Sequence, residues 1–362
     1  MVEGALPLWA TRGWDDQRGG FIERLAPDGT PDRDAPRRLR VQARQIYCYA
    51  KAAQLGWYPA GRELALRGLD YMVSKAKSPD GRPGYASLLA PNGAVLSADR
   101  DTYDHAFVLL ALAHVFRLER DPQIRTEIDS VLAFLDQHLK SEHGGYIEGI
   151  PASLPRRQNP HMHLFEAMIA LFDATHELGF QTRAGEFFSL FLAHFYDSKA
   201  GVLGEYFEED WSHILPVSVE PGHQAEWVWL LKGFERITGC PTDKYRSALL
   251  TSALRYRDPQ TECLIDEGDI DGEIVKASGR CWPQTELAKA WMAQAESGVP
   301  EADDAARDAL IRLHRHYLRH PVRGAWHDHF SPDQQARASF IPASSFYHVL
   351  CAIAEAERVL GV

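Results

Sequence analysis

A chain of 362 residues, 45% hydrophobic and 25% charged, has the composition of an ordinary globular protein and enough length to bury a large core. Its formal charge of −11 is spread along the chain, which argues against nucleic acid or an anionic membrane surface as a partner, and no apolar run approaches the ~18–20 residues a membrane span needs. Five scattered cysteines (48, 240, 263, 281 and 351), odd in number and without a CxxC pair, fit reduced thiols better than a disulfide framework or a zinc cage. With no basic stretch leading into an apolar one at the N-terminus, the expectation is a cytoplasmic protein.

Taken in order, apolar residues at helical spacing predict long helices over 35–55, 61–75, 101–118, 122–140, 161–178 and 182–196. They continue over 222–238, 242–255, 283–296, 301–318 and 344–360. Between successive pairs lie loops marked by Phe21, Tyr85, Tyr146, Tyr206, Leu264 and Trp326, at spacings of 64, 61, 60, 58 and 62. A period near sixty means repeats of loop, helix, short link and helix. The first and last units are as apolar as the middle ones, so nothing caps an open stack. The expectation is an all-α fold, an (α/α)6 barrel with short hairpin-like loops at one rim, as a single domain over 1–362.

The repeat also puts polar residues in phase. Arg44, His105, His163, His223, Gln284 and His348 recur near the starts of alternate helices at spacings of 61, 58, 60, 61 and 64. In a closed ring such positions would converge at one end of a cavity. Pro221-Gly222-His223-Gln-Ala-Glu226 opens a helix with an imidazole and a carboxylate on one face, and His163 with Glu166 repeats that spacing. Arg44 is a cation among apolar neighbours, suited to a hydroxyl or an oxyanion, or to a salt bridge. Asp104 reads as a helix cap or a hydroxyl contact, and Asn159 as the cap of a helix with Pro160 in its first turn. Trp282 could stack on a sugar ring or fill the core. His348 lies beside an apolar run and becomes an acid/base candidate when paired with His223. The two His-x-x-Glu pairs could instead hold a metal, but no HExxH or Cys/His cluster accompanies them, so none is expected. An inverting glycosidase using Asp104, Glu166, Glu226 or Glu286 would leave the histidines idle. A non-enzymatic repeat scaffold would not place matched polar residues at helix starts.

The segments Arg40-Val-Gln-Ala-Arg-Gln45, Asn159-Pro-His-Met-His-Leu-Phe-Glu166, Pro221-Gly-His-Gln-Ala-Glu-Trp227, Cys281-Trp-Pro-Gln-Thr-Glu286 and Ser345-Phe-Tyr-His348 together resemble the N-acylglucosamine 2-epimerase family. That family includes mannose isomerase, sulfoquinovose isomerase and cellobiose 2-epimerase, and is built on an (α/α)6 barrel. The resemblance implies acid/base chemistry on a free reducing sugar, with no cofactor. By the resemblance His223 and His348 would flank C1–C2, and Arg44, His163 and Glu226 would bind substrate; from the residues themselves, Asp104, Trp282 and Gln284 join the expected substrate contacts. Mannose-to-fructose isomerisation is the expected activity, with 2-epimerisation of N-acylglucosamine or mannose as the alternative. The family resemblance also admits a homodimer.

Overall fold

The computed structural model describes residues 1–361. Twelve α-helices follow in chain order: α1 (Ala5–Thr11), α2 (Leu39–Gln54), α3 (Gly61–Ala76), α4 (Thr102–Glu119), α5 (Pro122–Phe134), α6 (Asn159–Thr175), α7 (Leu178–Leu190), α8 (Pro221–Thr238), α9 (Asp243–Leu254), α10 (Cys281–Ala295), α11 (Ala302–Leu313) and α12 (Ser344–Leu360). Helices α5, α7 and α11 each run on into a π-helical turn, over Leu135–Leu139, Phe191–Phe195 and His314–Leu318. The even-numbered helices are buried on nearly every face through their first turns, whereas α3, α5, α7, α9 and α11 keep an exposed stripe. This is the all-α, (α/α)6-barrel succession that the sixty-residue period predicts.

Contacts gather the chain into two compact units. The first comprises Met1–Leu190 and Pro342–Tyr347. The second comprises the described residues of Phe191–Ile341 and His348–Val362. In the first unit α2 packs on α4 and α4 on α6, with α3, α5 and α7 backing them; in the second α8 packs on α10, backed by α9 and α11. The returning segment Pro342–Tyr347 is bound into the first unit: Phe346 stacks on Trp9 of α1, and Gln45 Nε2 donates to Ala343 O at 2.8 Å. Each unit also carries one three-stranded antiparallel sheet. Arg37–Arg38, Leu88–Leu89 and Val95–Ser97 form one, and Ser218–Val219, Glu267–Asp269 and Ile274–Lys276 the other.

Several helix starts differ from the sequence expectation, for local reasons. Helix α2 begins at Leu39 rather than 35 because Arg37 and Arg38 are committed to pairing with Leu89 and Leu88. Asp104 does not cap α4: Asp101 does, accepting from the Tyr103 and Asp104 N–H groups at 2.8 and 3.3 Å. Asn159 is already helical, with Gln158 at the cap position and no side-chain cap bond.

One latch recurs along the chain. Gln42 both accepts from Phe21 N (2.7 Å) and donates to Phe21 O (2.8 Å); Gln224 does the same to Leu203 and Gln284 to Leu264. His105 Nε2 accepts from Tyr85 N at 3.0 Å and His161 Nε2 from Tyr146 N at 2.9 Å. Burial first of all pushes these two imidazoles down, His105 to about 4 and His161 to about 3, so both are neutral acceptors. Each latch satisfies buried main-chain groups of a turn that would otherwise cost about 1–3 kcal/mol apiece to leave unmade. The fourth latched residue is Leu203, three residues before the Tyr206 read as that loop's marker.

Candidate functional site

In the second unit the first turn of α8 presents His223, which is buried, with Nδ1 2.9 Å from Glu205 Oε2 and 3.8 Å from Glu220 Oε2. A carboxylate at Nδ1 fixes the proton there and leaves Nε2 for another partner. Burial works against the imidazolium, but Glu205, then Glu220, outweigh it and raise His223 to about 9. In the same unit His348 of α12 repeats the arrangement, its Nδ1 2.8 Å from Glu286 Oε1 of α10. Both imidazoles touch one indole: Trp282 lies 5.0 Å from His223 and 5.6 Å from His348, ring centre to ring centre.

The Pro-Gly start of α8 has a packing reason. A Cβ on Gly222 would meet the Trp282 ring at 2.5 Å, far inside contact distance, so glycine is what lets the indole close on the helix start beside His223. Glu226, one turn on, adds its charge to those that raise His223, as the shared face of the i, i+3 spacing suggests. Its carboxylate also lies with that of Glu286 and with His348 Nδ1 or Nε2, the three donor atoms within 4.8 Å of one another. That set and Glu205–Glu220–His223 have the residue types of metal ligands. In the Glu226–Glu286–His348 set the donor chemistry does not fit a cation well: the Lys289 ammonium already stands 2.6 Å from Glu286 Oε2.

In the first unit Arg44 of α2 is buried, its guanidinium 4.1 Å from the centre of the Phe107 ring and 5.3 Å from that of Tyr347. Its Nη2 donates to Tyr103 Oη at 2.7 Å and Nη1 to Ser344 O at 3.4 Å, while Nε has no partner among the described residues. A buried cation with a donor to spare is suited to a developing oxyanion or a hydroxyl. His163 Nδ1 meets Glu166 Oε2 at 3.0 Å, as the spacing on α6 predicts, and Tyr347 Oη donates to the other Glu166 oxygen. Asp104 is fully buried against Arg40 Nη1 at 2.9 Å; burial pushes it up to about 7 against the pull of that arginine.

Of the residues singled out from sequence, His223, Trp282, Glu226 and His348 therefore share the second unit, and Arg44, His163 and Asp104 the first. Gln284 goes elsewhere: its carboxamide is spent on Leu264, so the geometry assigns it to a latch and not to a ligand. Sequence reasoning missed Glu205 and Glu220 as partners of His223, and Lys289 as the partner of Glu286. Glu205 lies inside the Gly204-Glu-Tyr206 loop, read only as a repeat marker. Lys289 carried a visible signal, a lone charge within the apolar run Leu287-Ala-Lys-Ala290.

A model of the N-acylglucosamine 2-epimerase (GlcNAc 2-epimerase) family matches residues 20–352. A mannose-6-phosphate isomerase of Rhizobium meliloti (strain 1021) is 34% identical over 99% of this chain and 95% of its own length. A D-mannose isomerase of Thermobifida fusca is 28% identical, covering 78% of this chain and 75% of its own. Among solved structures, a D-mannose isomerase superposes with a TM-score of 0.88 at 23% identity, covering 99% of this chain and 96% of that one.

Proposed function

The chain belongs to the N-acylglucosamine 2-epimerase family, and on that premise we propose that it isomerises a free hexose, mannose to fructose, through a cis-enediolate. Sugar isomerase or epimerase activity is what its relatives' names support, and the chain is an enzyme of that kind. The observation that carries the finer reading is the pair of buried imidazoles against Trp282, each with Nδ1 held by a carboxylate.

The chemistry requires such a pair. The C2 proton of an open-chain aldose is weakly acidic, and its loss leaves charge on the C1 and C2 oxygens. A base that titrates near working pH must take it, and donors must meet the oxygens. Returning the proton to C1, with the O2 proton lost and O1 protonated, gives the ketose. Returning it to the opposite face of C2 gives the epimer. In this reading His223 and His348 move the protons, Arg44 meets a sugar oxygen, and His163, Glu226, Asp104 and Trp282 complete the binding of the sugar.

A neutral hexose is favoured over a phosphorylated one by the charge around Arg44's unit. Arg38, Arg40 and Arg157, at or near its helix starts, are each paired already, with Glu23, Asp104 and Glu148. The inverting-glycosidase reading loses ground, since the Glu226 and Glu286 carboxylates approach within 4.8 Å, short of the ~6.5–9.5 Å that mechanism uses.

Incubation with mannose in D₂O, followed by NMR, tests the proposal. Fructose carrying deuterium is the expected product. Glucose would point to epimerisation, and turnover of mannose 6-phosphate in preference to mannose would overturn the neutral-substrate reading. No turnover of these or of glucose, N-acetylmannosamine and cellobiose would sink the proposal.

A further inference from the structure

A lysine with no exposed surface is costly unless its charge is met. Lys289 on α10 is such a residue: its Nζ lies 2.6 Å from Glu286 Oε2 and 3.7 Å from the centre of the Trp229 ring. The other oxygen of that carboxylate, Oε1, faces His348 Nδ1 at 2.8 Å. Ammonium, carboxylate and imidazole thus form one continuous buried chain, with Glu286 shared in the middle.

The two histidines of this unit differ in this respect. His223 is met by two carboxylates, Glu205 and Glu220, and is raised to about 9. His348 is also faced by two, Glu286 from α10 and Glu226 from α8, with the neutral Trp282 ring beside it. Two carboxylates alone would favour its imidazolium as they favour that of His223. Lys289 is the cation that answers them, and its field acts across a dry interior where it is weakly screened. For Glu286, burial opposes the charged form and Lys289 leads the opposing influences, with a net lowering.

We propose that Lys289 is a positioning residue for the isomerisation: its ammonium holds the proton affinity of His348 below what Glu286 and Glu226 alone would give, so that this imidazole can take and return a proton near neutral pH. The proposal rests on His348 being one of the proton-transfer groups named above.

The test is a ¹⁵N NMR titration of the His348 imidazole in ligand-free protein, its signal assigned by its loss in His348→Gln, alongside the pH profile of kcat/KM for mannose. Lys289→Met is expected to raise the His348 midpoint by roughly one to two pH units and to carry the acid limb of kcat/KM up with it. Adding Glu286→Gln to that variant should bring the midpoint back toward the wild-type value, which a merely structural lesion would not do. If Lys289→Met alone does not fold, Glu286→Gln is compared with the Lys289→Met/Glu286→Gln double variant, where loss of the lysine is again expected to raise the midpoint. A midpoint that stays put in either comparison overturns the proposal. A midpoint that moves while the kcat/KM limb does not would overturn the role in catalysis. Because the titration needs no sugar, it stands apart from any failure of the substrate assignment.

Discussion

In the first unit the second turn of α2 carries an arginine among Phe107, Tyr103 and Tyr347; in the second, the first turn of α8 carries a histidine held by Glu205 and covered by Trp282. Both side chains are buried and charged, and both recur from the same repeat of about sixty residues. Their chemistry differs in kind. A guanidinium stays protonated at any working pH, so it can hold an oxygen but cannot shuttle a proton. An imidazole can do both. Under the proposed function, proton transfer would fall to residues of the second unit and oxygen binding to Arg44 of the first, and that division can be broken by experiment.

The largest effect is expected in the second unit. His223→Ala and His348→Ala should each lower kcat for mannose by roughly 10²-fold or more, because each removes an acid/base group. Arg44→Met in the first unit should act more on KM, lowering kcat/KM by roughly 10- to 100-fold through loss of charge-assisted bonds worth about 1.5–3 kcal/mol. If Arg44→Met proved as damaging to kcat as His348→Ala in steady-state assays, the division between the units would fail.

pH sharpens the same contrast. His223 is raised to about 9 in the fold, above the ~6.5 of an unfolded histidine, so its ion pairs with Glu205 and Glu220 add stability fully below pH 6.5. That stability drains away as pH rises through about 9. Thermal melts of wild type against Glu205→Gln should therefore differ most at pH 6 and converge above pH 9.

Smaller still are the effects expected from packing. Gly222→Ala places a methyl against Trp282 and should cost about 1–3 kcal/mol in denaturant unfolding, as overpacking does. Gln284→Ala removes the latch on Leu264 and should cost a similar ~1–3 kcal/mol while leaving KM for mannose nearly unchanged. A large rise in KM in Gln284→Ala would return that residue to the substrate.

The repeat was legible because two signals agreed: turn residues every sixty positions, and apolar runs at helical spacing between them. Helix identity followed; helix starts did not where a strand pair, such as Arg37–Arg38 with Leu88–Leu89, claimed the first residues. Phase alone could not separate the two uses of a polar residue at a buried helix start. Arg44, His163, His223 and His348 cluster with other polar or charged side chains, while His105 and Gln284, in the same phase, latch the main chain of a loop. The difference lies in which way a side chain turns from its helix, which spacing of about sixty residues does not record. The carboxylates on the two catalytic candidates were hidden for another reason. Glu205 is 18 residues from His223, and Glu286 is 62 from His348, separations no local pattern reaches.

The central claim is that the carboxylate-held imidazoles of the second unit move the sugar's C2 proton. Its most direct test is deuterium wash-in from D₂O, read by NMR on sugar recovered with wild type and with a folded His223→Ala/His348→Ala double variant. The account expects deuterium in the fructose, and at C2 of returned mannose, with wild type, and neither above background with the variant. Wash-in at the wild-type rate in the double variant would contradict it.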